Sequence, residues 1–352
     1  MECLVFLHLL RTYNKEMKKT FWTMWLLVAA GVGFVACRGG DAEGFETADL
    51  PADSLTVEGF SGYTSWMRQG DKVVVYTLPG DTNFSVYRLP EFEPLYDFAV
   101  EPRKPGSFFY AAGLFPDGVQ DSVLYVFSLQ ERFLSRVLLG EDTARVEDRF
   151  PGAPKVVYAN GILLADTLVL VGTMNFLEKS HSITLLDPRG WDTLQRLDSK
   201  TILDERFNAV NYPFFAFSNG RLVLAYKNYK RLEYYALSPE GRLDFVRAVG
   251  KDYDRSEVAE MKEKRTPMDG PVDVAWGENQ LYLLENAVNE RGELLASRVE
   301  VFDWEGNGRY RLRLERPATK ILVDEAGGRL YAIRPALDSS RVYRYDLGRF
   351  AR

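Results

Sequence analysis

The chain is poor in the two residue types on which much hydrolytic and metal chemistry depends. Its 352 residues include two cysteines, Cys3 and Cys37, and two histidines, His8 and His181. Both cysteines fall in the first forty residues, so no disulfide framework holds the remainder. The His and Cys ligands of a zinc centre are missing. A Ser-His-Asp triad would have to use His181, in "FLEKSHSITLL", and no Gly-x-Ser-x-Gly elbow accompanies it. Phosphate-loop and dinucleotide fingerprints are absent as well. The formal charge of -6 is spread without long blocks, and no basic stripe marks a nucleic-acid partner. No run of about 20 apolar residues is present to cross a membrane.

The longest apolar run, Phe21 to Phe34, belongs to "MKKTFWTMWLLVAAGVGFVAC", residues 17–37. A basic start at Lys18 and Lys19, a short apolar middle and small residues before a cysteine are the layout of a secretory signal. Its end, Phe34-Val35-Ala36-Cys37, resembles the bacterial lipobox, with Phe34 where leucine is usual. The resemblance implies cleavage before Cys37 and a lipid on its thiol, hence an outer membrane lipoprotein facing the periplasm or the cell surface. A plain signal peptide with an incidental cysteine is the alternative. Residues 1–16 sit oddly before such a signal, so Met17 competes with Met1 as the true start, and 1–36 read as an over-extended start plus signal. The polar stretch 37–56, with Gly39, Gly40 and Gly44 and several acids, reads as a lipidated flexible tether. Asp41 and Glu43 loosely resemble a surface-export signal.

What is abundant is strand. The chain is 46% hydrophobic and 13% aromatic, enough for a large core. Six similar units begin at Gly70, Asp121, Asp166, Asn219, Glu278 and Gly327, at spacings of 51, 45, 53, 59 and 49 residues. The last reads "GGRLYAIRPALDSSRVYRYDL". Each unit is a polar turn, a strand, a variable loop and a second strand. Further strands lie between units, as at Arg309–Leu314 and Ala318–Val323. About four strands per period of about 50 residues is the signature of a propeller blade. The reading is an all-β, six-bladed β-propeller over 57–350, with 57–68 offered as the outer strand that closes the ring. Two β-sandwiches would use the same hairpins. One stretch, 254–266, reads as a helical insertion between the fourth and fifth blades, capped by Ser256 and stopped by Pro267.

The segments "AYKNYKRLEYY" (225–235), "VEVFDWEGN" (299–307) and "ILVDEAGGRLYAI" (321–333) resemble TolB-like six-bladed propeller lipoproteins of Bacteroidetes. The similarity covers about 210–347. It implies an anchored propeller and brings neither a reaction nor catalytic residues.

In a propeller, the loops joining second to third strands gather on one face, where specificity is commonly built. Here they are about 78–83, 128–131, 173–180, 227–230, 285–297 and 334–340. The fourth-blade tip combines aromatic faces and cations in Tyr226, Lys227, Tyr229, Lys230 and Arg231, suited to stacking a sugar or pairing a carboxylate. The fifth-blade loop adds Glu285 and Arg291, and the sixth adds Arg334. A solvated hairpin is the plainer reading of the fourth-blade tip. Calcium in the channel would need acids such as Asp273 and Asp324, which strand-end turns also explain. Two functions therefore stand. One is a non-enzymatic binding or scaffolding propeller that captures a peptide, glycan or envelope protein on its loop face. The other is a calcium-dependent hydrolase or lyase using channel carboxylates.

Overall fold

The computed structural model describes residues 45–57, 65–76, 84–98, 111–118, 120–128, 133–151, 157–165, 168–175, 180–203, 209–289, 291, 293–334 and 340–351. Cys37, the signal and both candidate starts lie outside them.

The six units are the second and third strands of six blades. Lys72–Tyr76 is buried from end to end, and Arg221–Tyr226 is buried at all but its first residue. Each blade is covered on both faces by its neighbours, so these strands read as continuous apolar runs rather than alternating ones. Outer strands such as Ala144–Pro151 face solvent and are largely polar. Four-stranded antiparallel sheets result, with the inner strands Ser65–Gln69, Ala111–Pro116, Val157–Ala165, Pro213–Ser218, Asp273–Trp276 and Lys320–Asp324 each at a sheet edge.

The core is divided among the blade interfaces. Six apolar clusters, one per neighbouring pair of blades, hold the ring. Large side chains such as Tyr282, Tyr331 and Phe84 are fully buried in them, each contributing roughly 1.5–3 kcal/mol. The inner-strand turns add polar links between blades. Gln69 donates to Gln120 O (2.5 Å), Gly118 N–H to Leu163 O (3.1 Å), Asn279 N–H to Glu325 (2.8 Å) and Arg68 to Asp324 (3.1 Å).

Ring closure lies upstream of the place expected. Asp53–Val57 pairs antiparallel with Ser340–Asp346 and completes the sixth blade, while Ser65–Gln69 begins the first. Glu46–Leu50 adds a fifth, parallel strand to the fifth blade. Residues expected in the flexible tether are thus sheet from Glu46 onward. Their acids find arginines: Asp49 pairs with Arg313 (2.7 Å) and Glu46 with Arg349. Arg311 also lies over the Phe45 ring.

The insertion is a helix, Arg255–Glu263, and its cap is Asp254 rather than Ser256. The Asp254 carboxylate accepts from Glu257 N–H, and Glu257 reaches back to Asp254 N–H, a capping box. Ser256 instead donates to Asp254 (2.6 Å).

Candidate functional site

Two places compete for the site: the fourth-blade loop tip and the central channel. The tip residues turn inward. Tyr226 is fully buried, and its hydroxyl accepts from Lys200 N–H (3.4 Å). Tyr229 is buried in a small cluster with Val210, Tyr253 and the helix residue Val258. The Tyr229 and Tyr253 rings meet edge to face, 6.2 Å apart. Arg231 is buried against Glu233 (2.6 Å) and Asp252 (3.2 Å). Lys230 binds Glu285 (2.8 Å) and Glu300, joining the fourth blade to the fifth. Burial pushes the Glu300 carboxyl up, but Lys230 and Arg311 outweigh it and hold the group below its ordinary range. The expected stacking platform is therefore a packed junction beneath the helix. A sequence reading sees the tip's aromatics and cations, and the helix, but not that the helix covers them.

Elsewhere on the loop face, Glu285 is buried and bound to Arg298 (2.7 Å). Arg291 and Arg334 are exposed. His181 is buried on the third strand of the third blade, its Nδ1 2.8 Å from Ser199 Oγ. Burial, with Arg255 nearby, presses its imidazole down to about 4.

The channel is different. A cavity of about 830 Å³ runs along it, with contributions from the inner strands of all six blades. Its lining reaches the turns joining first to second strands, here called its mouth, on the face opposite the loop tips. Asp121, Asn219, Glu278 and Asn279 are exposed there. Trp66, Phe214, Phe217 and Trp276 supply aromatic wall. Two lining residues carry a buried polar atom with no hydrogen-bond partner among the described residues, Arg68 Nε and Asn160 Oδ1, the latter packed against Gly172. The space at the mouth is set partly by Gly277, where a Cβ would meet the Glu325 carboxylate at 2.5–2.7 Å.

Asp273 and Lys320 mark the far, loop end of the cavity. They begin neighbouring inner strands, and Asp273 accepts from Ile321 N–H (2.7 Å). Burial lifts Asp273 to about 6 against the pull of that bond, Lys320 and Lys227. Burial lowers Lys320, while Asp273 pulls it back up. Lys227 reaches this end from the fourth blade, donating to Tyr212 Oη (2.7 Å) and lying over its ring.

Asp273 and Asp324 do not converge on a metal site. Asp324 is engaged by Arg68 and by Gly327 N–H, and no cluster of three His, Cys, Asp or Glu exists among the described residues. The described acids do not fit the calcium that the alternative reading would need. Sequence reasoning reached Asp273 but missed Lys320, Asn160, Trp66 and Trp276. The only available signal was their place on inner strands.

A family model described as "TolB-like 6-blade propeller-like" matches residues 63–326. The chain belongs to this TolB-like family. Among solved structures, a putative exported protein from Bacteroides fragilis is similar at 7% identity and TM-score 0.54, covering 85% of this chain and 98% of that one. A DUF4221 member from Bacteroides vulgatus is similar at 10% identity and TM-score 0.51, covering 84% and 97%. A luciferin-regenerating enzyme is similar at 12% identity and TM-score 0.50, covering 84% and 95%. At such identities they share the fold alone. No curated protein sequence matches the chain.

Proposed function

We propose that this TolB-like protein is a non-enzymatic binding propeller whose ligand enters the central channel from the turn face. A lipid on Cys37 would hold it at the outer membrane. The observation that carries the reading is the cavity of about 830 Å³, which lies within the range of small-ligand sites. Its aromatic walls offer burial, and the polar side chains among its lining, such as Gln69 and Asn279, offer hydrogen bonds. The loop tips offer less, because most of their charges are committed to internal pairs.

The test screens short peptides and oligosaccharides by calorimetry and tryptophan emission. Saturable binding that Ser218→Phe abolishes, by filling the mouth, is the expected result. Binding that Ser218→Phe leaves intact, but that Arg291→Glu with Arg334→Glu removes, returns the site to the loop face.

A further inference from the structure

The channel lining selects against charge on a ligand. Five carboxylates line the cavity against two cations, Arg68 and Lys320. Arg68 is held by Asp324 (3.1 Å), and Lys320 begins its strand at the loop end, away from the mouth. An anion entering from the turn face therefore meets like charge first. A cation fares little better, because three of the carboxylates are already engaged by the fold. Asp117 accepts from Gln120 N–H (3.0 Å), Glu325 from Asn279 N–H (2.8 Å) and Asp273 from Ile321 N–H (2.7 Å). No described residue bonds the carboxylates of Asp121 and Glu278, but both are exposed. An exposed carboxylate gains little from a single cation.

What the mouth offers instead is hydrogen bonding beside a fixed ring. Trp276 lines the cavity half-buried and packs against the apolar clusters on both sides of the fourth blade. Its indole is thereby held in place before any ligand arrives, which lowers the cost of binding. Glu278 and Asn279 follow it in the same turn. Ser218 and Asn219 stand in the neighbouring turn, where Ser218 Oγ and Asn219 Nδ2 donate to Glu278 O (3.4 and 3.5 Å). Asp121 adds a carboxylate from the second blade.

This set matches hydroxyl groups. Asn amides both donate and accept, as a hydroxyl does. A hydroxyl donating to a carboxylate makes a short, charge-assisted bond without any net charge on the ligand. The indole face is the negative part of the ring quadrupole and suits the C–H face of a sugar ring.

Resting on the channel as the ligand site, we propose that its turn mouth takes a neutral saccharide. One sugar ring stacks on Trp276, its hydroxyls bond Glu278, Asn219 and Asn279, and Asp121 bonds it from the second blade.

The probe is a panel of trisaccharides: neutral trimers of glucose and of mannose, a galacturonate trimer and a glucosamine trimer. Calorimetry on the protein reads the affinities. A neutral trimer is expected to bind saturably. The galacturonate trimer should bind about tenfold more weakly, as for facing like charges. The glucosamine trimer should fall within about threefold of the neutral one, because the mouth carboxylates are solvated. Trp276→Ala should weaken the neutral trimer about tenfold, through loss of the stacking surface. Should that variant unfold, Asn219→Gly still reads the site. Asn219 has a φ of 50°, which glycine adopts without strain, and loss of its amide should cost about threefold.

A charged trimer that binds more tightly than every neutral one overturns the proposal. So does neutral binding that neither Trp276→Ala nor Asn219→Gly weakens, and so does the absence of saturable saccharide binding. If a peptide then binds and Ser218→Phe blocks it, the channel survives as the site. Saccharide binding that is indifferent to Ser218→Phe overturns both readings.

Discussion

The fourth-blade loop tip and the turn-lined channel mouth lie on opposite faces of one ring, and they invert what their sequences suggest. The tip, "AYKNYKRLEYY", is dense with aromatic and charged residues, yet Tyr226, Tyr229 and Arg231 are buried and engaged. The mouth is made of short turns around Gly70, Gly118 and Gly277, yet an open cavity runs inward from it. Chemical richness in a loop shows what it can bind, whereas partners already in the fold decide what remains available. Here the helix and the small hairpin of Ile202–Leu203 with Ala209–Val210 take up the tip.

The sharpest break of this comparison is Glu300→Ala. Glu300 is wholly buried between Lys230 and Arg311, which donates at 2.8 Å. Removing it takes the carboxylate from Arg311 and leaves Lys230 and Arg298 to share Glu285. A loss of roughly 3–5 kcal/mol is expected, as for other broken buried pairs, read by denaturant unfolding. Channel binding at temperatures where the variant stays folded should be unchanged. A loss under 1 kcal/mol would mean that the tip is not a structural junction.

Two buried groups give opposed pH slopes of somewhat smaller size. Burial lifts Asp273 from its ordinary 3.8 to about 6, so within that window the folded state keeps a proton that the unfolded chain releases. Stability from Asp273 is present at low pH and falls as pH rises through the window. His181, pressed from 6.5 to about 4, refuses a proton that the unfolded chain accepts. Its contribution is present above 6.5 and falls as pH drops toward 4. Each slope is on the order of 2–3 kcal/mol, and in the unaltered protein they largely offset. Asp273→Asn should therefore make the protein acid-labile between pH 6.5 and 4. His181→Asn should make it more stable as pH falls through the same range. Melting temperatures across pH check both, and parallel curves for the two variants would refute the opposition.

The ring was legible in the sequence because repetition reports it: polar turns and buried second strands recur at each blade, and all six units fall on the second and third strands. Closure was misplaced because Asp53–Val57 is short and carries only two apolar residues, Leu55 and Val57, whose cluster partners lie far along the chain, as does Arg344, which bonds Asp53 and Glu91. Local composition cannot distinguish that polar segment from a tether. The fifth strand, Glu46–Leu50, was missed for the same reason, since its acids become informative only once Arg313 and Arg349 face them. The channel was the least legible part. Its wall residues come a few at a time from strands spread along the chain, and the cavity they line exists only after the ring closes.

The smallest expected effect on stability falls at the mouth, and it separates the two faces most cleanly. Asp121 and Glu278 are exposed, so Asp121→Asn with Glu278→Gln should change stability by no more than about 0.5 kcal/mol. Binding of a neutral trisaccharide should nonetheless weaken about twofold to fivefold, because a hydroxyl donates more strongly to a carboxylate than to an amide. At the loop tip the order is reversed, with large losses of stability and no change in binding. A mouth variant that unfolded the protein without altering ligand affinity would make both faces structural and leave the cavity without a function.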